Sequence, residues 1–204
     1  SQSRGLGDVY KRQLLFGVAL QYTGGGQFFL NLAFSLLGYV RGGPAKVAIF
    51  ASGLMGSMSG SVITNVLTTG ALSIPAMKRI GFKPHVAGGV EACASTGGVL
   101  MPPIMGATAF IMAINLEVPY RDIVVAAVIP SVLYFFALFM QIDGYAAKNK
   151  LEGLPKAELP TVSQTLKDGW YYVAVFALLI YLLVFMQREA QAPFYATALL
   201  LIIN

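Results

Sequence analysis

The sequence predicts an all-α, polytopic membrane protein containing a re-entrant helical hairpin and a broken transmembrane helix. Three observations carry this. The 204 residues are 56% hydrophobic and only 11% charged, whereas soluble domains carry about a quarter charged residues. Apolar runs recur, among them "VVAAVIPSVLYFFALFMQI" and "WYYVAVFALLIYLLVFM"; each is close to the roughly 20 residues a helix needs to cross a bilayer. Two interruptions, "SMSGSVITNVLTTG" at 57–70 and "STGGVLMPP" at 95–103, fall inside otherwise apolar sequence. The single Cys93 excludes an internal disulfide. The net charge of +5 reads as membrane topology rather than nucleic-acid binding, because no basic stripe with interleaved aromatics occurs.

Each element follows from local chemistry. Residues 1–13, including "SRGLGDVYKRQ", are polar and resemble a translated sequencing-library adapter, so they are set aside as a non-native tail. Residues 14–40 predict the end of a truncated helix closed by "TGGG", then a short interfacial helix capped or anchored by Gln27 and Asn31. The turn "RGGPAK" at 41–46 places a helix start at Pro44. Within 41–150 lie a hairpin over 45–80, a broken span over 86–114, the polar turn "NLEVPYRD" and a full span over 123–142. Residues 151–169 predict a cytoplasmic linker. Residues 170–204 hold a further span over 170–186, with Trp170, Tyr171 and Tyr172 as an aromatic belt, and the start of a last helix. The run stops at Asn204 in mid-helix, so a fragment is expected.

Charge placement predicts the hairpin. Arg41 and Lys46 precede it, and Lys78, Arg79 and Lys83 follow it. Lys and Arg mark the cytoplasmic side of short loops, so both flanks belong on one side. The residues between Lys46 and Lys78 are too few for two spans of about 20 residues each. Two short helices that enter, meet near mid-membrane and return satisfy both constraints. The polar stretch then lies at the tip, where non-helical backbone survives only if it is buried in protein or lines a wet cavity. Lys148, Lys150, Lys156 and Lys167 extend the inner set, leaving Arg121 and Arg188 outside.

At "STGGVLMPP", Pro102 and Pro103 each lack an N–H, and Gly97 and Gly98 loosen the same turn, which predicts unwinding within the span. Two broken elements meeting at the midplane form a pattern found in transporters, where oxygen ligands and half-helix ends hold a cation. Ser59, Gly60, Ser61, Asn65, Gly97, Gly98 and Pro102, on these two interruptions, are candidate ion-site residues, a set that rests on the resemblance given below. Thr64, Thr68, Ser95, Thr96 and Pro103, on the same interruptions, are candidate substrate contacts. No catalytic residue, cofactor or resident metal beyond a sodium ion is expected. Small residues that merely pack helices closely are the plainer alternative.

The stretches "GGPAKVAIFASGLMGSMSGSVITNVLTTGALSIPAMKRIGF", "GGVEACASTGGVLMPPIMGATAFIMA" and "GLPKAELP" resemble the large membrane subunit of TRAP transporters, and most closely the fused permease of the TAXI type. The resemblance covers residues 14–204. It implies an inner-membrane secondary transporter for small organic acids, built as part of an elevator-type fold and driven by sodium or protons. An extracytoplasmic binding protein would deliver the solute, with a small membrane subunit fused upstream. The family's first ion site is similar to Ser59, Gly60, Ser61 and Asn65 together with the 97–103 break. Its second, inverted hairpin has no counterpart before Asn204.

Glu91 is a further candidate, because an ionisable residue within a span is a functional hypothesis. It could carry a proton, or pair with Lys46, Lys83 or His85. A rival function is an intramembrane serine hydrolase using Ser59 or Ser61 with His85, the only histidine. A non-transporting scaffold subunit would explain the spans but leave both interruptions without a purpose.

Overall fold

The structure, a computed structural model, describes residues 11–12, 15–186 and 191–203. The proposed non-native tail falls almost wholly outside these residues, as does Arg188. The described residues are helical, with no strand among them.

Residues 15–22 are helical and lead through Gly24, at φ 91°, into α1 (Gly25–Leu37). Gln27 and Asn31 do not cap α1: the Gln27 amide donates to Asn31 Oδ1 one turn on, at 2.9 Å. Helix α2 (Gly43–Ser59) starts with Pro44 in its first turn, where the missing N–H has no helical partner to lose. It ends at Gly60, whose φ of 62° lets its amide turn back onto Gly56 O at 2.9 Å. Ser61 then caps α3 (Val62–Arg79), its Oγ accepting from the Thr64 amide at 3.4 Å. The two helices pair antiparallel: Ser52 Oγ lies 3.1 Å from Thr69 Oγ1, and Asn65 Nδ2 donates to Ser52 O at 2.9 Å. Residues 45–80 are thus two helices hinged at Gly60 and Ser61, not one rod.

The span expected over 86–114 is divided into α4 (Pro84–Gly98) and α5 (Ala107–Asn115). Gly97 and Gly98 lie inside α4, so the break begins at Val99, later than the glycines suggested. A cis bond joins Pro102 and Pro103 within it. Helix α6 (Tyr120–Lys148) runs well past the apolar stretch, because Asp143–Lys148 continue the helix at its polar end. The segment expected as a linker over 151–169 is extended only in part. Thr161 accepts from the Gln164 amide at 3.4 Å and starts α7 (Val162–Ile180), which kinks at Gly169 and continues as a π turn over Tyr181–Phe185. Helix α8 (Ala192–Ile203) completes the described chain.

Among the described residues two stretches are long and apolar enough to cross a membrane: α6, and Lys156–Phe185, which takes in a 3₁₀ turn, α7 and the π turn. Three apolar clusters organise the packing among the described residues, the smallest being Leu30 and Ala33 of α1 with Val47 and Ala51 of α2. One gathers Phe16, Leu20, Phe28, Phe29, Tyr172, Leu179 and Leu200 from α1, α7, α8 and the first helical residues. Another joins Ala45, Ala48, Phe82, Ala87, Ala94 and Ala146, binding the hairpin base to α4 and α6. Tyr172 therefore belongs to a core, with its hydroxyl on Thr23 O, while Trp170 is exposed as a belt residue would be.

Candidate functional site

The apex of the hairpin and the break after α4 meet. The Ile104 amide donates to Ser57 O at 3.1 Å, tying the segment beyond the prolines to the last turn of α2. A Cβ placed on Gly106 would lie 3.8 Å from Gly60 O. One turn lower, Gly56 and Gly98 touch backbone to backbone: a Cβ on Gly56 would stand 2.4 Å from Gly98 Cα. Glycine is required here by the approach itself. A Cβ on Gly97 would instead strike the Tyr134 ring at 2.3 Å. The two glycines act by close packing rather than by loosening the turn.

The proline effect is partly offset. Pro102 lacks the amide that would serve Gly98 O, yet Met101 N reaches that carbonyl at 3.2 Å and Leu100 N reaches Gly97 O at 2.9 Å. The last turn of α4 therefore tightens, and these two carbonyls are not left without donors. Beyond the turn, the Tyr120 hydroxyl at the start of α6 reaches Pro103 O at 3.0 Å and also contacts Ile104 O.

The expected residues do not all gather in one place. Ser59, Gly60 and Ser61 form the apex, with the Ser61 amide donating to Ser59 Oγ at 3.5 Å. Pro102, half-buried, and Pro103, buried, face this region across the Ile104 bond. Thr64, Thr68 and Thr96 contribute less to a shared site. Thr68 donates to Thr64 O and Thr96 to Ala92 O, each at 2.8 Å, which is the ordinary back-bonding of helical threonines. Thr96 is moreover exposed. Asn65 and Ser95 point inward to a second cluster.

That cluster surrounds Glu91, which is 0% exposed. Ser52 of α2, Thr69 and Ser73 of α3, and Ser95 of α4 all direct hydroxyls at its carboxyl oxygens. Ser52 and Ser95 reach Oε1 at 3.3 and 3.2 Å. The suggested ion pairs do not form: Lys46 binds Asp143, and Lys83 and His85 are exposed. Among the described residues no cation pairs with Glu91. Ser52 and Ser73 were not singled out from sequence, since they flank the dense polar stretch. The spacing was readable nonetheless: Asn65, Thr69 and Ser73 recur every fourth residue, as do Glu91 and Ser95.

Ion pairs latch the hairpin base. Arg41 and Lys46 both bind Asp143 near the end of α6, and Arg79 binds Glu158 at 2.7 Å. His85, in the first turn of α4, sits at this base, while Ser59 is buried at the apex. A Ser–His nucleophilic pair is therefore not assembled.

Comparison with known proteins agrees with that outcome. Residues 13–204 match the family described as tripartite ATP-independent periplasmic transporter, DctM component. The chain is 29% identical over 167 residues to the sialic acid TRAP transporter permease protein SiaT of Haemophilus influenzae, covering 82% of this chain and 27% of that protein. It is 29% identical over 146 residues to the C4-dicarboxylate TRAP transporter large permease protein DctM of Pseudomonas aeruginosa, covering 72% and 34%. It is 28% identical over 138 residues to the isethionate TRAP transporter permease protein DctMQ of Oleidesulfovibrio alaskensis, covering 67% and 21%. The chain thus spans about a third or less of the length of these relatives. With the family match extending across nearly every residue, the chain belongs to the DctM family of TRAP transporter permeases, a transporter family and not an enzyme.

Proposed function

We propose that this chain forms the first-repeat region of a TAXI-type fused permease, importing small organic acids across the inner membrane on a sodium or proton gradient. An extracytoplasmic binding protein delivers the solute, and the hairpin with α4 moves as part of an elevator. The single observation that carries the reading is the meeting of the hairpin apex with the proline break, through the Ile104–Ser57 bond and the Gly56–Gly98 contact. Ser59, Gly60, Ser61 and Asn65, with 97–103, supply the ion site in this reading, and Thr64, Thr68 and Pro103 border the solute.

Helix lengths support re-entrance. Helix α2, of 17 residues, is about 25 Å long, while α6, of 29 residues, is about 43 Å. They run antiparallel, with Lys46 at Asp143 and Gly53 against Phe135. An apex at Gly60 thus lies part-way along a membrane-length helix, as a hairpin entering and leaving on one side requires. The basic residues at both ends of the hairpin fit a cytoplasmic base.

The test is uptake of a panel of small carboxylic acids by the intact permease with its binding protein in proteoliposomes. Ser61→Leu and Asn65→Leu should abolish gradient-driven uptake while membrane insertion persists. Uptake at the unmodified rate in both variants would overturn the ion site.

A further inference from the structure

The hydroxyls around Glu91 differ from those elsewhere in the chain. Ser57, Thr68 and Thr96 bond back to carbonyls of their own helices. Around Glu91, hydroxyls from three helices converge on one fully buried carboxyl. An ionised carboxylate offers about four acceptor sites and no donor. Taken out of water without a cation it costs several kcal/mol unless hydrogen bonds replace its hydration. Four hydroxyls supply such bonds, those of Ser52, Thr69 and Ser95 at Oε1 and that of Ser73 at Oε2.

The same atoms also suit the neutral acid. A hydroxyl carries one hydrogen, yet Thr69 Oγ1 stands within donor range of both Glu91 Oε1 and Asn65 O, the latter at 2.8 Å. With Glu91 ionised, Thr69 donates to Glu91. With Glu91 protonated, the acid O–H donates to Thr69 Oγ1, and the Thr69 hydrogen turns to Asn65 O. Thr69 therefore has a hydrogen bond to donate in each charge state. It stays bonded to Glu91 in both, but in the first it donates to a charged acceptor across the helix interface, and in the second it accepts a neutral bond and donates within α3, which makes the interhelical bond the weaker one.

We propose that Glu91 is a proton-binding site inside the α2–α3–α4 unit, and that its charge state sets how firmly the hairpin is held on α4. The proton comes from bulk water and returns to it. Thr69 passes the change to Asn65, whose side chain donates to Ser52 O and lies against the Gly56–Gly98 contact. The site thus reaches the backbone approach just below the hairpin apex. Close packing makes it sensitive: a Cβ on Gly70 would meet Glu91 Cγ at 3.0 Å.

No other titratable group competes for Glu91 among the described residues. On α2, Lys46 is held by Asp143 of α6; on α3, Lys78 is exposed and Arg79 is held by Glu158. On α4, Lys83, His85 and Cys93 are exposed. On α6, the Tyr134 hydroxyl donates to Cys93 O at 2.9 Å, Tyr145 stacks on Phe82, and Arg121 pairs with Asp122.

The inference rests on the permease reading for its purpose but not for its chemistry, so the test uses no solute. Infrared difference spectra of the intact permease in lipid, recorded between high and low pH, should contain one buried-carboxyl C=O band. That band should shift in D2O, disappear in Glu91→Gln, and move in frequency in Thr69→Val and Ser73→Ala. Because Glu91→Gln keeps the size of the side chain, thermal unfolding of the same samples identifies any loss of fold, and Thr69→Val supplies the second reading. A wild-type protein without such a band, or a band unchanged in Glu91→Gln and Thr69→Val alike, would overturn the proposal. Loss of uptake in Ser61→Leu with no Glu91 band would leave the transport reading standing alone; a Glu91 band with normal uptake in Ser61→Leu and Asn65→Leu would do the reverse.

Discussion

Around Glu91, helices α2, α3 and α4 meet through alanines, glycines and hydroxyls, with Gly56 and Gly98 in backbone contact. Around Tyr172, helices α1, α7 and α8 meet through large apolar and aromatic side chains, with Phe28 stacked on Tyr172 at 5.1 Å. The first region brings backbones close enough for short polar side chains to reach one another. The second keeps backbones apart and fills the gap with side-chain volume. In lipid, association relies on packing and interhelical hydrogen bonds rather than on the expulsion of water. The two regions use these separately, and each should fail to a different substitution.

The largest effect is expected where no side chain can yield. Gly98→Val places methyls against Ser52 O, Asn65 Nδ2 and Gly56 Cα, all within 3 Å of the new Cβ. Two of these three contacts are backbone. A loss of about 3 kcal/mol, the upper end of overpacking penalties, should appear as a lowered unfolding midpoint in detergent or lipid. If Gly98→Val unfolded like wild type, the close approach of α2 and α4 would be disproved.

The side-chain-filled region should respond to deletion instead. Leu179 is fully buried in the cluster of Phe16, Leu20 and Tyr172. Leu179→Ala should cost about 2 kcal/mol, the low end for such truncations, because in lipid only packing is lost. A smaller change follows from Tyr172→Phe, which removes the hydroxyl on Thr23 O while keeping the ring stack on Phe28. About 1 kcal/mol is expected, the net value of one hydrogen bond. If Tyr172→Phe cost more than Leu179→Ala, the region would depend on polar contacts after all, and the contrast would break down.

The contrast also explains what could be read in the sequence. Long apolar runs located α6 and α7, because span length is a property of the run itself. The ends of those helices were not legible: Asp143–Lys148 lie beyond the apolar run of 123–142, yet they continue α6, with Asp143 held by Arg41 and Lys46 from a distant part of the chain. The basic flanks and the polar stretch at 57–70 announced a hairpin, and the structure puts its break at Gly60 and Ser61, where a positive φ is followed by an N-cap serine. The Glu91 cluster was only half legible. Its spacing on α3 and α4 is written in the sequence, but the denser hydroxyls at 57–70 are the stronger signal and point to the apex. Ser52 joins Glu91 only through the antiparallel register of α2 and α3. Gly97 and Gly98 look like helix looseners in isolation and become contact residues only when Tyr134 and Gly56 arrive.

The weakest effect belongs to the latch at the hairpin base, and it sharpens the contrast most. Arg79 and Glu158 are both more than a third exposed, so their 2.7 Å ion pair is solvent-screened. Arg79→Ala should lower stability by only ~0.2–1 kcal/mol, and raising salt toward 1 M, where the Debye length falls to about 3 Å, should largely erase the difference from wild type. Gly98→Val should be indifferent to salt, because its penalty is steric overlap in a dry interface. Measuring unfolding midpoints of both variants at low and high salt separates the two mechanisms within the unit formed by the hairpin and α4. A salt-independent loss in Arg79→Ala would mean that the arginine acts by packing its alkyl stem rather than by its charge, and the base would then belong with the close-packed region above it rather than with the solvated surface.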